Sequence, residues 1–303
     1  MHLLVLGANG LLGSNVVASA VARDWRVTGT YHTTAPDFDV PLHRLDVTDD
    51  AALRDRLAAS DPDWVVNCAA MTDVDACESA PERAHAVNAD APGTLAAACA
   101  ERDTRVLHVS TDYVFDGDRE TPYAEDAPTN PLQTYGASKL DGERRVRSAD
   151  ADALLTRLSF VYGRHANTGA LTGFPAWVRD RLADGAETPL FTDQHVTPTR
   201  AGHASETLCD LVDASASGTY HVATRSCVTP YAFGAALADR LDASDDHLVR
   251  GSRDDVDRAA ARPAYTCLDV SRVERTLGRP QPTLADDIDA IADALGAPSD
   301  APP

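Results

Sequence analysis

Tyr135 and Lys139 stand four residues apart in the run Tyr135-Gly136-Ala137-Ser138-Lys139. On a helix that spacing puts both side chains on one face, about 6 Å apart along the axis. A phenol titrates near pH 10, too high for proton exchange at neutrality, and an adjacent ammonium favours the phenolate and lowers that value. A tyrosine and a lysine at this spacing also arise by chance on surface helices. Here, however, Lys139 is the single lysine among 27 basic residues; the other 26 are arginine. A lysine kept in such a background points to chemistry a guanidinium cannot supply. Upstream, Val109-Ser110-Thr111-Asp112-Tyr113-Val114-Phe115-Asp116-Gly117 leaves an apolar run through hydroxyls and a carboxylate. A Ser or Thr hydroxyl there could hydrogen-bond a carbonyl beside Tyr135. Without the Tyr-Lys pair, the run would read as a polar strand exit.

Gly7-Ala8-Asn9-Gly10-Leu11-Leu12-Gly13 follows the first apolar run and opens the first amphipathic stretch. The glycine spacing lets backbone N–H groups and a helix N-terminus approach a pyrophosphate closely. A tight turn without a ligand would look the same in isolation, but its place at the first strand-to-helix junction favours a dinucleotide. The next run ends Thr28-Gly29-Thr30-Tyr31-His32, with no acid where an NAD site holds the ribose 2′-hydroxyl. NADP(H) is therefore favoured and NAD(H) stays open, with Thr30 or His32 available to a 2′-phosphate. Asp46-Val47 reads equally as an adenine contact or an ordinary strand end.

These groups need a frame. Apolar runs at residues 3–6, 26–30, 64–67, 106–109 and 154–158 alternate with helical stretches at 11–23, 51–59, 84–102 and 131–147. That pattern predicts an α/β fold, a Rossmann-type doubly wound parallel sheet covered on both faces. Beyond Gly163 the rhythm changes. Short strands are expected near 190–191 and 219–222, helices at 230–241 and 284–295, a solvated loop over 243–257 and a fraying tail. The division is a dinucleotide-binding unit, residues 1–163, and a smaller C-terminal substrate-binding lobe, 164–303, partly interleaved with it.

The 303 residues carry a formal charge of −20, and the 47 acids comprise 38 aspartates and nine glutamates. So negative a surface excludes nucleic acid and an anionic membrane as partners. The Asp-rich, Lys-poor balance points to a halophilic protein, a GC-rich genome being the bland alternative. The start lacks a basic segment and breaks at Gly7, so no signal or membrane helix is expected. The six cysteines show no metal or redox spacing and read as buried thiols in a reducing cytoplasm, with no disulfide framework. Ten histidines show no metal-ligand spacing, so no metal is expected. The Asp pairs at 245–246, 254–255 and 286–287 read as a solvated acidic face.

Together these residues resemble the extended short-chain dehydrogenase/reductase superfamily, and within it the dTDP-4-dehydrorhamnose reductase family. Besides the glycine loop, the likeness runs through Asn67-Cys68-Ala69-Ala70-Met71-Thr72-Asp73-Val74-Asp75 to Glu78. It continues in Ser110 to Gly117, Pro122-Tyr123 and Tyr135-Gly136 with Ser138-Lys139-Leu140 and Gly142-Glu143. Arg157, Tyr162-Gly163, Asp193-Gln194, Pro198-Thr199 and Arg262-Pro263 are similar to later family landmarks. The resemblance implies that Gly7, Gly10, Leu11, Leu12 and Gly13 meet the pyrophosphate, Asp46 and Val47 the adenine, and Ala69, Ala70 and Thr72 the nicotinamide ribose. It implies Thr111, Tyr135 and Lys139 as the catalytic set, Lys139 also holding the ribose, with Asp112, Tyr113 and Phe160 near the sugar. Phe160 stands where the family often has Trp. Tyr113 stands where 4,6-dehydratases have Glu, so dehydration lacks its base. The implied activity is NAD(P)H-dependent reduction of the 4-keto group of a nucleotide-activated deoxysugar. A sugar-nucleotide epimerase, and a non-catalytic subunit similar to the regulatory partner of methionine adenosyltransferase, are the alternatives. A homodimer stays open.

Overall fold

In the computed structural model, which describes residues 1–150 and 152–296, seven parallel strands form the main sheet. They are β1 (His2–Leu6), β2 (Arg26–Tyr31), β3 (Leu42–Arg44), β4 (Trp64–Asn67), β5 (Arg105–Thr111), β6 (Leu154–Leu158) and β11 (Gly218–His221). Their order across the sheet is β11-β6-β5-β4-β1-β2-β3. All five residues of β1 are buried, because both faces of the sheet are covered and period-2 side chains are apolar on each. Leu3 and Val5 pack with Val16, Val17, Leu208 and Leu211 on one side. Leu4 and Leu6 pack with Leu53, Leu57, Leu95 and Val146 on the other.

Helices α1 (Leu11–Val21) and α8 (Ala201–Asp213) cover the first face. The second is covered by α2 (Asp50–Ser60), α5 (Ala91–Ala100) and α6 (Thr134–Ala149). Two short helices, α3 (Val74–Ser79) and α4 (Pro81–His85), lead into α5 through a π-helical turn, Ala86–Asp90. The helix expected over 84–102 is present, running from Pro81 to Ala100, and carries this π turn within it. Pro92 lacks an N–H, and the Ala91 amide instead reaches back to Ala86 O. The extra residue turns Asn88 inward, where it bonds the Met71 N–H (2.9 Å), Met71 O (3.0 Å) and Ser138 Oγ (3.1 Å).

The remaining chain builds a lobe around Tyr162, Val178, Leu190, Phe233, Leu237 and Ile288. It contains β7 (Val161–Arg164), β8 (Leu171–Thr172) and β10 (Thr199–Arg200) in one small sheet and β9 (Thr188–Phe191) with β12 (Leu248–Gly251) in another. Its helices are α7 (Phe174–Ala183), α9 (Pro230–Arg240), α11 (Leu284–Asp289) and α12 (Ala292–Leu295); α10 (Ser271–Leu277) instead packs Val273 into the core of the main sheet beside β11.

Four expectations need correction. The charged loop over 243–257 contains β12, anchored by Leu248, which packs in the lobe core beside Leu190. The final helix breaks at Ala290–Ile291 into α11 and α12, although Leu284, Ile288, Ile291 and Leu295 still face one core. Asp287 is not on a solvated face: it is buried and takes bonds from Arg200 and His203. The cysteines are not all thiols, since Cys227 and Cys267 form a disulfide while Cys68, Cys77, Cys99 and Cys209 stay free. The expected fraying from residue 297 lies outside the described residues. No described helix is long and apolar enough to cross a membrane.

Candidate active site

The strand order reverses at β1, which lies between β2 and β4, and open α/β sheets form a crevice beyond their carboxyl ends at such a point. A trough opens there. Gly7 turns the chain out of β1 with a φ of 80°, a conformation that penalises any Cβ. A Cβ on Gly13 would strike the Gly7 carbonyl, so glycine is what lets α1 approach the turn. Gly10 caps α1 with no side chain bonding the first-turn amides. Those N–H groups open the trough with partial positive charge and fit a pyrophosphate.

One half of the trough, about 380 Å³, is lined by Gly7, Gly10, Thr30, His32, Asp46, Val47, Ala69, Ala70 and Arg83. The other, about 520 Å³, is lined by Gly10, Leu11, Leu12, Gly13, Ala70, Thr72, Thr111, Asp112, Tyr113, Tyr135, Lys139 and Phe160. Gly10, Cys68 and Ala70 belong to both, so the halves form one elongated site of dinucleotide proportions. No acid ends β2, but Asp46, just past the neighbouring strand β3, approaches His32 at 3.7 Å. The Thr48 hydroxyl and amide hold the Asp46 carboxyl below the usual range.

Tyr135 and Lys139 lie on the inner face of α6, above the end of β5. Burial pushes the Tyr135 phenol up, and the Thr111 hydroxyl beside it pulls the other way. The ammonium expected to lower Tyr135 instead donates to Val109 O at 2.6 Å. Burial brings Lys139 itself down to about 8, against the pull of Glu143 and Cys68. Thr111 Oγ1 donates to Asp112 Oδ1 (3.0 Å) and accepts from the Tyr113 amide (3.2 Å). Asp112 also accepts from Ser159 Oγ at 2.8 Å. Burial raises Asp112 to about 6, with the Thr266, Ser159 and Thr111 hydroxyls opposing it. A donor phenol, an oriented hydroxyl and an ammonium around one point can protonate an oxygen that gains charge there.

Tyr113 and Phe160 also border a third cavity of about 740 Å³ running into the lobe. Phe160 has a φ of 45°, a left-handed backbone costing about 1–3 kcal/mol in a non-glycine residue. That turn sets its ring edge-on to Phe174, with centroids 5.5 Å apart. Farther in stand Trp177, Phe191, Gln194, Arg258 and Arg262. Arg262 bonds Asp75 at 2.6 Å. Arg258 lies over Phe191, 4.9 Å from the ring centroid, with no ion-pair partner among the described residues.

Every residue given a catalytic, cofactor or sugar role in the sequence lines the trough. Those not assigned a role there include Asn88, Gln194 and Arg258. Asn88 is turned inward by the π turn, which only Pro92 hints at. Arg258 sits in a charged stretch whose pattern matches a solvated loop, and only the fold brings it to the cavity.

A chain from Haloferax volcanii described as a probable low-salt glycan biosynthesis reductase is 50% identical over 97% of this chain and 98% of its own. The dTDP-4-dehydrorhamnose reductase of Mycolicibacterium smegmatis is 34% identical over 99% of this chain and 88% of that one. A crystal structure of a dTDP-4-dehydrorhamnose reductase from Clostridium acetobutylicum superposes with a TM-score of 0.86 at 27% identity, covering 98% of this chain and 100% of that one. The RmlD substrate binding domain family matches residues 1–296, and the chain belongs to it.

Proposed function

We propose that the chain reduces the 4-keto group of a nucleotide-activated deoxysugar, with NADPH as the preferred reductant. The observation that carries this reading is the convergence of Thr111, Tyr135 and Lys139 where the dinucleotide-shaped trough meets the lobe cavity. The dinucleotide, when bound, supplies the hydride. Tyr135 gives its phenolic proton to the oxygen on sugar C4 as charge develops there, and Thr111 is the second hydroxyl within reach. Lys139 keeps positive charge behind the phenol. The sugar stands between Tyr113 and Phe160, and the nucleotide extends toward Trp177 and Phe191. The diphosphate faces Arg258, the guanidinium left without an ion-pair partner among the described residues. NADPH is favoured over NADH because His32 and Arg83 flank the adenosine half with positive or protonatable groups. A dTDP-linked sugar is the first to test, since that nucleotide appears in the names of relatives. The reading expects a cytoplasmic enzyme and leaves its assembly, monomer or homodimer, to light scattering.

The test is an NADPH-oxidation screen against dTDP-, UDP- and GDP-linked 4-keto-6-deoxy sugars in molar KCl. Oxidation that depends on at least one of them is expected; none with any of them would sink the reading. In the same assay kcat/KM for NADPH should at least equal that for NADH. A tenfold preference for NADH, about 1.4 kcal/mol, would overturn the cofactor assignment.

A further inference from the structure

Beneath the catalytic groups lies a buried charged cluster that the reduction does not itself call on. Glu143 is one helical turn beyond Lys139 on α6 and is fully buried. Its Oε1 accepts from Ser110 Oγ at 2.6 Å and Arg157 Nε at 2.8 Å. Its Oε2 accepts from the Arg157 guanidinium at 2.8 Å and from Arg147 at 3.1 Å. Arg157 is buried on β6, in register with Ser110 on β5. A buried ion pair is weak evidence for stability, because desolvation offsets most of the attraction. The cluster's position suggests another role. Ser110 stands between Val109, whose carbonyl takes the Lys139 ammonium, and Thr111.

We propose that Glu143 is a positioning residue for the reduction: it pins the end of β5 to α6 so that Thr111, Tyr135 and Lys139 keep one geometry, and its charge holds Lys139 as an ammonium. The catalytic half of this inference rests on the proposed reductase activity. The groups facing Lys139 come from several elements. Cys68, after β4, is a thiol pushed up to about 12 by burial and so is neutral. His108 on β5 is held well below its ordinary value by burial and by Lys139, and is neutral too. Tyr135 on α6 carries no charge at neutral pH. Arg157 on β6 is positive and paired with Glu143. Burial would raise the Glu143 carboxyl, but Arg157, the Ser110 hydroxyl and Arg147 together outweigh it and hold Glu143 below its ordinary value, ionised. Glu143 is therefore the anion that acts on Lys139.

Because Lys139 is the chain's single lysine, protein grown on lysine labelled with carbon-13 at Cε gives one side-chain signal, whose pH titration reads this ammonium alone. Glu143→Gln leaves Arg157 and Arg147 uncompensated, so the lysine should titrate at least about one pH unit lower than in wild type. The double variant Glu143→Gln/Arg157→Gln also removes the buried guanidinium charge, so the midpoint should recover part of the way but stay below wild type, because the anion that acts on Lys139 is still missing. A purely structural role would lower the melting temperature in both variants and leave the midpoint unmoved. Ser110→Ala keeps the ion pair and removes one bond, a change mild enough to fold. It should lower kcat about threefold to tenfold with NADPH affinity unchanged. An unmoved lysine midpoint in Glu143→Gln, or wild-type kcat in Ser110→Ala, would overturn the proposal. The lysine signal is read without substrate, so a wild-type chain that reduced no sugar would count against the reductase reading and leave the titration to judge the charge effect.

Discussion

At Tyr135 and Lys139 one cause, burial, acts on two groups of opposite proton chemistry. It disfavours the phenolate and disfavours the ammonium. The proton is thereby kept on Tyr135, where a reduction needs it. Removing that donor in Tyr135→Phe should cut turnover by about two to four orders of magnitude while NADPH affinity changes little. Near-wild-type turnover in that variant would remove the mechanism. The same shifts set a pH window for the free enzyme, which kcat/KM reports. Lys139 acts as the protonated form and titrates at about 8, so kcat/KM should fall as pH rises through that value. Asp112 orients Thr111 as a carboxylate and titrates at about 6, so kcat/KM should also fall as pH drops through that value. A rate profile flat from pH 5 to pH 9 would contradict both assignments.

Among the elements, the Cys227–Cys267 disulfide joins the segment entering α9 to the one carrying Thr266, whose hydroxyl faces Asp112. It closes a stretch of 40 residues, for which loop entropy suggests about 4 kcal/mol of stabilisation. Cys227→Ser, or a thiol reductant, should lower the urea midpoint and raise KM for the sugar nucleotide with NADPH affinity unchanged. An unchanged midpoint would show that the bridge carries no such constraint. The pairing was not legible in the sequence because nothing in its spacing relates the two cysteines; the fold brings them together. Six of the seven strands of the main sheet were legible, because a strand covered on both faces is largely apolar, as β1 is; the three-residue edge strand β3 was not, since none of its residues is fully buried. The glycine turn and the Tyr-Lys pair were legible because their geometry is local. Helix α8 was not expected, and its buried face includes the polar His203, Ser205 and Thr207 among its apolar positions. Asp287 was not legible as a buried residue for a related reason: the Arg200 and His203 that bond it come from a distant part of the chain. Arg258 and Phe191 meet only through the lobe.

For the molecule as a whole, charge joins stability to function. A chain of −20 repels itself at low ionic strength, and its cofactor and sugar nucleotide are anions that must approach the same surface. The Debye length shrinks from about 30 Å at 0.01 M salt to about 3 Å at 1 M, so screening should help both folding and association. Melting temperature and kcat/KM are therefore expected to rise together between about 0.1 M and molar KCl. Full stability and activity at the lower salt, unchanged on adding KCl, would defeat the halophilic reading and leave the chemistry intact. The chemistry is tested most directly by following one hydrogen. With NADPH deuterated at the transferable position of nicotinamide C4 and a dTDP-linked 4-keto-6-deoxy sugar, the wild-type enzyme should consume one NADPH per sugar and deliver the deuterium to sugar C4. Sugar converted with no net NADPH consumed, or NADPH and sugar bound without any transfer of label, would contradict the assignment.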